Sequence, residues 1–237
     1  MGASVGERKR LYKEGNLIVQ DFRDVDGSVA REVVFTSQRD FLQSQKRIVH
    51  KSKKAFDKNK GAFVVAKSPL MEKKKNFVDI LDRRFIVADY LRSFVAGLAL
   101  VQSELLSGNV SDRPISVLIL GNGAGTLAMF LHEVFGTKTN LSIKAVDISE
   151  QMSKIASEYF GFYEEPGKVE LVLADALKYV SDLAPESVDL LFIDISDDSA
   201  RTSQTPPRAF LETAFLDSLK SKMTKAGLVT INTVCYK

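Results

Sequence analysis

The sequence predicts an α/β protein whose main domain is a doubly wound, Rossmann-like parallel sheet, preceded by a small N-terminal β-hairpin region. Two observations support this prediction. From residue 116 onward, strand-like and helix-like segments alternate along the chain. The apolar runs Val117-Leu-Ile-Leu120 and Leu190-Leu-Phe-Ile193 also lack the inward and outward alternation of a half-exposed sheet, as expected of parallel strands that are covered on both faces.

Two segments near the N-terminus predict a β-hairpin. Residues 17–22 and 29–35 have the composition of strands, and Asp24-Val-Asp-Gly27 between them supplies a turn. Residues 1–13 are polar and basic, and we expect them to be frayed.

The segment between the hairpin and the main domain is harder to assign. Residues 36–76 are rich in Lys, Gln and Ser, which predicts a partly disordered insertion with a short strand at 62–66. Residues 81–106 carry apolar side chains at helical spacing, which predicts one long helix. We therefore place a basic N-terminal region at 1–80 and the Rossmann-like domain at 81–237.

The Rossmann-like domain is predicted from its repeating order of elements. Each apolar run is followed by a segment with helical spacing, as in successive βα units. Strands are predicted at 116–120, 142–146, 169–173, 188–193 and 228–234, and helices at 126–135, 150–160, 176–183 and 207–223.

The composition is typical of a folded globular protein. The chain has 237 residues, of which 45% are hydrophobic and 27% charged, and no long apolar run. This excludes a disordered or membrane-spanning chain. Cys235 is the single cysteine, which excludes an intrachain disulfide, and with only His50 and His132 beside it we expect no metal site. The N-terminus carries no apolar targeting segment, so we expect a cytoplasmic location.

Charge is divided unevenly along the chain. Residues 1–92 hold 21 Lys and Arg against 12 Asp and Glu, whereas residues 93–237 hold 12 against 18, and the net charge is +3. The lysine runs Lys51-Ser-Lys-Lys54 and Lys73-Lys-Lys75 lie in the basic part. Such runs attract an acidic protein or an RNA surface, or they form a solvated arm. Of these partners, we expect a protein rather than a nucleic acid.

A glycine-rich loop follows the first strand of the main domain. It reads Gly121-Asn-Gly-Ala-Gly125 and opens a helix. The candidate ligand-binding residues are Gly121, Asn122, Gly123 and Gly125, because glycines leave room for a nucleoside or phosphate at a helix N-terminus. A tight turn between strand and helix would also require glycine, so this loop alone does not identify a site.

Carboxylates follow the next three strands, at the edge of the sheet where ligands bind. Asp147, followed by Ile148, is placed to accept hydrogen bonds from ribose hydroxyls, or to cap the next helix. Asp175, followed by Ala176, is placed to accept a bond from an adenine amino group, or again to cap a helix. Asp194 begins a group that includes Asp197 and Asp198, which suits an amine substrate or forms a solvated acidic loop.

Together these strand ends predict a cofactor that contains a nucleoside. The pattern does not by itself separate a nicotinamide cofactor from S-adenosylmethionine. The sequence has no Tyr-x-x-x-Lys motif and no histidine near a strand end, so the usual proton donors of hydride transfer are missing and a dehydrogenase is disfavoured.

Four motifs resemble those of class I S-adenosylmethionine-dependent methyltransferases in order and spacing. They are Leu118-Ile-Leu-Gly-Asn-Gly-Ala-Gly125, Ala145-Val-Asp147, Leu173-Ala-Asp175 and Leu191-Phe-Ile-Asp194. More narrowly, the chain resembles the spermidine-synthase-like branch and its methyltransferase-like protein 13 family, through Phe94-Val-Ala-Gly-Leu-Ala-Leu100, Tyr159-Phe-Gly-Phe162, Thr205-Pro-Pro-Arg-Ala-Phe210 and Asn232-Thr-Val-Cys235.

The resemblance implies S-adenosyl-L-methionine as cofactor and assigns roles to matching residues. Gly121, Gly123 and Gly125 would pass beside its methionine part, and Gln43, in Phe41-Leu-Gln43-Ser44, would reach its amino-acid end. Asp147 would bind the ribose, and Asp175 with Ala176 the adenine. Asp194 would lie near the sulfonium and the incoming amine, as the catalytic residue.

The family also implies a substrate, a protein amine of translation elongation factor 1-alpha, either the N-terminal α-amine or a lysine. Aminopropyltransferases of this branch carry Gly-Gly-Gly-Asp-Gly and Asp-Ser-Ser-Asp-Pro, whereas this chain has Gly121-Asn-Gly-Ala-Gly125 and Asp194-Ile-Ser-Asp-Asp198, which disfavours polyamine synthesis. The family continues through a helix and two further strands after the position of Lys237, so we expect a sheet without its last strands. A non-catalytic protein of this fold is a third hypothesis, and a homodimer is expected from related folds.

Overall fold

The computed structural model describes residues 6–36, 38–58, 63–100, 113–136, 138–196 and 204–235, with the backbone alone at 38–43, 204 and 235. Within these residues the chain forms an N-terminal antiparallel sheet and a C-terminal parallel sheet. The predicted α/β class, with a hairpin region before a Rossmann-like domain, is confirmed.

The N-terminal sheet has six antiparallel strands in the spatial order β1-β2-β3-β4-β6-β5. The predicted hairpin is its β2–β3 pair, in register from Leu17 opposite Phe35 to Arg23 opposite Val29. One short helix, α1, follows β4. The elements are β1 Arg8–Glu14, β2 Leu17–Arg23, β3 Val29–Phe35, β4 Gln38–Ser52, α1 Lys53–Lys58, β5 Phe63–Val65 and β6 Phe77–Asp82.

Two predictions for this region are wrong. The segment expected to be frayed contains strand β1, because Leu11 and Tyr12 pack against a buried apolar cluster and the backbone pairs with β2. The segment expected to be a partly disordered insertion contains β4, the longest strand. Polar residues form a strand here because the backbone of β4 hydrogen-bonds to β3 on one side and β6 on the other, whatever its side chains are.

The single long helix predicted at 81–106 is also wrong. Its first residues end strand β6, and the helix α2 is limited to Asp89–Gly97, followed by a 3₁₀ turn at Leu98–Leu100. The Asp82 side chain accepts a hydrogen bond from the N–H of Arg84 at 3.1 Å and turns the chain after the strand. Residues 101–106 lie outside the described residues.

The parallel sheet has the order β12-β10-β7-β8-β9. From the central strand β7, β8 and β9 extend the sheet on one side, and β10 and β12 extend it on the other. Its bounds agree with the predicted strands and helices within a few residues, with two exceptions. Helix 207–223 is a 3₁₀ turn at Arg208–Leu211 followed by α6, and the strand predicted at 228–234 runs from Met223 to Ile231. The elements are β7 Ile115–Leu120, α3 Thr126–Val134, β8 Leu141–Asp147, α4 Glu150–Phe160, β9 Val169–Leu173, α5 Ala176–Asp182, β10 Val188–Ile193, β11 Gln204–Thr205, α6 Thr213–Lys222, β12 Met223–Ile231 and β13 Val234–Cys235.

Alternate residues of the central strands bury their side chains on opposite faces of this sheet. In β7, Val117 and Ile119 pack with α2 and α3, whereas Leu118 and Leu120 pack with α5 and α6. Helices therefore cover both faces, as the continuous apolar runs predicted. Between the neighbouring strands β7 and β10 the strand order reverses, and a ligand crevice is expected at their carboxyl ends.

The two sheets are joined by an apolar cluster. Residues of β2 and β3 pack against α4 and against Ala124 of the glycine loop. All of its buried members are at most 8% exposed, so the N-terminal sheet packs against the Rossmann-like domain rather than forming a separate arm. The buried members are Leu17, Val19, Val33, Phe35, Ala124, Met152, Ile155 and Phe160.

Basic side chains of the N-terminal sheet, and that of Arg83 directly after it, reach the C-terminal end of α4. The last carbonyls of a helix have no partner within it, and the helix dipole favours positive charge there. Three consecutive carbonyls are satisfied in this way: Arg31 Nη1 donates to Tyr159 at 3.1 Å, Lys46 Nζ to Phe160 at 3.4 Å, and Arg83 Nη1 to Gly161 at 3.1 Å.

Lys46 is the fully buried member of this group, at 0% exposure. Burial, and to a smaller extent the positive charge of Arg83, lower the pKa of its amine to about 7, and the negative charges of Asp82 and Glu133 oppose this shift. The folded chain therefore releases the Lys46 proton at a lower pH than the unfolded chain does.

We expect the Lys46→Met variant to lose part of the pH dependence of stability. In the wild type, the unfolded chain binds more protons than the folded chain between about pH 7 and 10, so Lys46 makes the free energy of unfolding rise with pH, by up to about 1.4 kcal/mol per pH unit. Urea unfolding at several pH values across this range measures the slope of the free energy of unfolding against pH. Lys54→Met, at an exposed position, is the control, and a slope in Lys46→Met equal to that of wild type would contradict the prediction.

Candidate functional site

A cavity of about 830 Å³ opens at the carboxyl ends of the parallel strands. The glycine loop after β7 and the residues after β8, β9 and β10 line one side of it. Leu17, Phe35 and Ser44 of the N-terminal sheet line the other side. Both sheets therefore contribute walls to the same cavity.

Two glycines fix the shape of the loop after β7. Gly121 has a φ of 87°, and a Cβ there would collide with the carbonyl oxygen of Asp194. Gly125 has a φ of 73° at the start of α3, and a Cβ there would collide with the ring of Phe162. Gly121 and Gly123 line the cavity, whereas Gly125 is not among the lining residues and shapes the turn behind it.

Asn122 and Thr126 present unused polar atoms in this loop. Asn122 is 8% exposed and Thr126 is 4% exposed, and both residues line the cavity. Within the described residues, the side-chain oxygen and nitrogen of Asn122 and the hydroxyl of Thr126 have no hydrogen-bond partner. Because buried polar groups are normally paired, these atoms are suited to contact a polar ligand at the N-terminus of α3.

Asp147 ends β8 and faces the glycine loop. Its Oδ2 accepts a hydrogen bond from the N–H of Gly123, and its Oδ1 one from the N–H of Ser149, both at 2.9 Å. Burial raises the pKa of Asp147, and these backbone donors oppose the rise. The hypothesis that Asp147 caps α4 is wrong, because Ser149 is the N-cap and accepts from the N–H of Met152. Asp147 and Ile148, which is 72% exposed, line the cavity, where the carboxylate has capacity for ribose hydroxyls.

Asp175 does cap a helix. Its Oδ1 accepts hydrogen bonds from the N–H groups of Leu177 at 2.8 Å and Lys178 at 3.2 Å, at the start of α5. The capping interpretation is therefore confirmed. Asp175 and Ala176 also line the cavity, so the contact with an adenine amino group stays a prediction.

Asp194 lies directly after β10, held from two sides. The Tyr90 hydroxyl of α2 donates to its Oδ2, and the Asn232 amide donates to its Oδ1, both at 3.0 Å. Burial raises the pKa of Asp194, and the bonds from Asn232 and Tyr90 oppose this rise. Burial, together with the Asp194 charge, raises the pKa of the Tyr90 hydroxyl above its usual range. This carboxylate is thus fixed in position inside the cavity.

Sequence reasoning missed several residues of this site. Tyr90 was hidden within the predicted long helix, and no local signal shows that α2 brings it to Asp194. Ser44 accepts a hydrogen bond from the N–H of Ala124 at 3.1 Å, through pairing of distant segments. Its neighbour Gln43 occupies a β-bulge, but the Gln43 side chain lies outside the described residues, as do Asp197 and Asp198.

Within the described ranges, no three His, Cys, Asp or Glu side chains are grouped so that they could hold a metal ion. In the same ranges, no helix has the length and apolar character needed to cross a membrane.

Comparison with known proteins identifies relatives over most of the chain. Residues 92–236 match the family described as Spermine/spermidine synthase domain. A human protein named eEF1A lysine and N-terminal methyltransferase is 27% identical over 250 residues, which cover 99% of this chain and 34% of the human protein. The chain thus spans about a third of the length of this curated relative.

Two solved structures resemble the fold. Human methyltransferase-like protein 13 in complex with SAH is 31% identical, with a TM-score of 0.54, and the match covers 62% of this chain and 66% of that one. A probable spermidine synthase from Corynebacterium glutamicum has a TM-score of 0.59 over 92% of this chain and 61% of its own. At 14% identity, this second likeness concerns the fold alone.

We expect Tyr90→Phe to raise the pKa of Asp194 further, because the lost hydroxyl stabilises the charged carboxylate by donating a hydrogen bond to it. A ¹³C NMR titration of the Asp194 carboxyl group compares the variant with wild type. Tyr179→Phe, which removes a hydroxyl from α5, is the matched control. An unchanged Asp194 titration in Tyr90→Phe would contradict this assignment.

Proposed function

Since the chain belongs to the Spermine/spermidine synthase domain family, we propose that it is an S-adenosylmethionine-dependent methyltransferase that acts on a protein amine of translation elongation factor 1-alpha, the eEF1A of its relatives' names. The observation that carries this proposal is Asp194, a carboxylate held in place by Tyr90 and Asn232 beside the glycine loop. The names of the human relative and of the SAH-bound neighbour support the same activity.

The donor cofactor fits one part of the cavity. Asp147 would accept hydrogen bonds from the ribose hydroxyls, and Ile148 and Asp175 would contact the adenine. The unpaired polar atoms of Asn122 and Thr126 would meet the amino-acid end, at the N-terminus of α3. When bound, the cofactor supplies an electrophilic methyl group on a sulfonium.

The acceptor amine fits the part of the cavity at Asp194. Methyl transfer needs the amine lone pair aligned with the methyl carbon, so the main task of the protein is positioning. Asp194 would accept a hydrogen bond from the amine and hold its proton as the new bond forms. Because burial raises the pKa of Asp194, this carboxylate is a better proton acceptor than an exposed one. Tyr90 and Asn232 keep it in a single orientation.

The glycine loop supports methyl transfer over aminopropyl transfer. Ala124 stands where aminopropyltransferases carry an aspartate, and it is fully buried in the apolar cluster with Leu17, Val33 and Phe35. A carboxylate in that cluster would be buried without a partner, at a cost of several kcal/mol. The packing of this chain is therefore built around a small apolar residue at position 124.

We expect the chain to bind S-adenosylhomocysteine more tightly than decarboxylated S-adenosylmethionine. We also expect Asp147→Asn to weaken the binding of S-adenosylhomocysteine by about 10- to 100-fold, because charge-assisted hydrogen bonds to the ribose are lost. Isothermal titration calorimetry measures both. Asp217→Asn, an exposed change on α6, is the control. Preference for the decarboxylated compound would contradict the proposed function and favour an aminopropyltransferase.

We expect Asp194→Asn to lower the turnover number by about 10²- to 10⁴-fold, because the amide cannot accept the amine proton. The measurement is transfer of a labelled methyl group to eEF1A, with S-adenosylhomocysteine affinity recorded on the same preparation. Affinity should stay near the wild-type value, since Asn232 and Tyr90 still fill the space around position 194. Full methyl transfer by the variant would exclude Asp194 as the catalytic residue.

A further inference from the structure

Two lysine runs that are distant in sequence lie at one end of the N-terminal sheet. The N–H of Lys53 donates to the carbonyl of Asn76 at 2.9 Å, and Ser52 pairs with Phe77 across β4 and β6. This backbone pairing places the start of α1 beside the segment that leads into β6. We call the exposed lysines of these two segments the lysine surface: Lys53, Lys54, Lys58, Lys73, Lys74 and Lys75.

Among the described residues, none of the six ammonium groups of the lysine surface forms an ion pair with a carboxylate, although Asp57 and Glu72 belong to the same two segments. The nearby Asp79 pairs instead with His50, at 2.8 Å. Like charges held close together repel one another and raise the local positive potential. Such a potential speeds the association of an anionic partner by about 10- to 10³-fold at low salt.

An exposed aromatic ring adds apolar surface at the same place. Phe77 pairs with Ser52 next to Lys53, and it is 44% exposed, with its ring edge-on to His50 at 6.3 Å. Aromatic side chains are enriched in protein–protein interfaces, where they add contact area. The lysine surface therefore combines charge with a site for side-chain packing.

The chemistry of this end of the sheet favours an acidic polypeptide over RNA. Recognition of single-stranded RNA relies on open aromatic faces and on arginine forks. Here the ring of Phe63 already holds Lys51 Nζ at 5.4 Å and Arg84 Cζ at 5.6 Å, and within the described residues Phe77 is a single exposed ring beside His50 rather than part of a row of stacking faces. The lysine surface itself consists of ammonium groups, which pair with carboxylates without a fixed geometry.

We propose that the lysine surface docks an acidic segment of the protein acceptor, outside the cavity that holds the reacting amine. This inference rests on the proposed function. Contacts made equally in the ground state and the transition state lower KM and leave kcat unchanged. Docking of this kind makes an intact protein a better acceptor than a short peptide with the same amine, and it weakens as salt rises.

The test compares two acceptors, intact eEF1A and a short peptide that carries its methylated amine. For the triple variant Lys53→Glu, Lys54→Glu and Lys74→Glu, we expect KM for the intact protein to rise at least about tenfold, with kcat and the peptide KM unchanged. For the neutral triple variant with Gln at these positions, KM for the intact protein should lie between the values of the Lys→Glu variant and wild type. The control is the triple variant Lys138→Glu, Lys220→Glu and Lys225→Glu, which makes the same change in net charge at exposed positions of the Rossmann-like domain. Its KM values for both acceptors should equal those of wild type.

The controls separate failure of docking from failure of the proposed function. Docking at this surface would be overturned if KM for intact eEF1A rose equally in the control triple variant. It would also be overturned if the Lys→Glu triple variant raised KM for the peptide. Displacement of intact eEF1A by oligouridine but not by poly-glutamate would also overturn it, in favour of RNA. If wild type methylates neither acceptor, the proposed activity fails. Docking is then decided by fluorescence anisotropy of labelled poly-glutamate, where equal binding by wild type and the Lys→Glu triple variant overturns it.

Discussion

The cavity depends on the docking of the N-terminal sheet against two neighbouring parts of the Rossmann-like domain, helix α4 and the glycine loop that opens α3. At the C-terminal end of α4, basic side chains of the N-terminal region donate to its last carbonyls, and one of them, Lys46, is fully buried. At the N-terminal end of α4, Met152 lines the cavity, and Ser44 holds the N–H of Ala124 in the glycine loop. A loss of docking would therefore open the cavity and expose the apolar cluster at once.

Asp194 is where the remaining elements meet. It follows β10, its carbonyl lies against Gly121, and its carboxylate is held by Tyr90 from α2 and by Asn232 after β12. No local segment could fix this carboxylate alone, because each partner comes from a different part of the chain. The reversal of strand order between β7 and β10 provides the space into which all four elements project.

The sequence predicted features that depend on neighbours along the chain, and it failed for those that depend on distant segments. The glycine loop, Asp147 and Asp194 were found because strand ends in a parallel sheet are recognisable from apolar runs. The long helix was wrong because apolar spacing in a strand, a turn and a short helix together imitated one helical period. Tyr90 and Ser44 gave no signal, since their roles arise from contacts made across 104 and 80 residues.

The bulge in β4 has a consequence for changes in chain length. Val33 pairs with Ser44 and Val34 with Leu42, so Gln43 is an extra residue that the ladder accommodates. Ser44 and Lys46, two positions apart, face the same side and reach the glycine loop and α4. An insertion or deletion before Gln43 can be absorbed by the bulge without moving them, whereas one between Ser44 and Lys46 would turn one of them away. We therefore expect this chain to tolerate a change of length before the bulge better than one between Ser44 and Lys46.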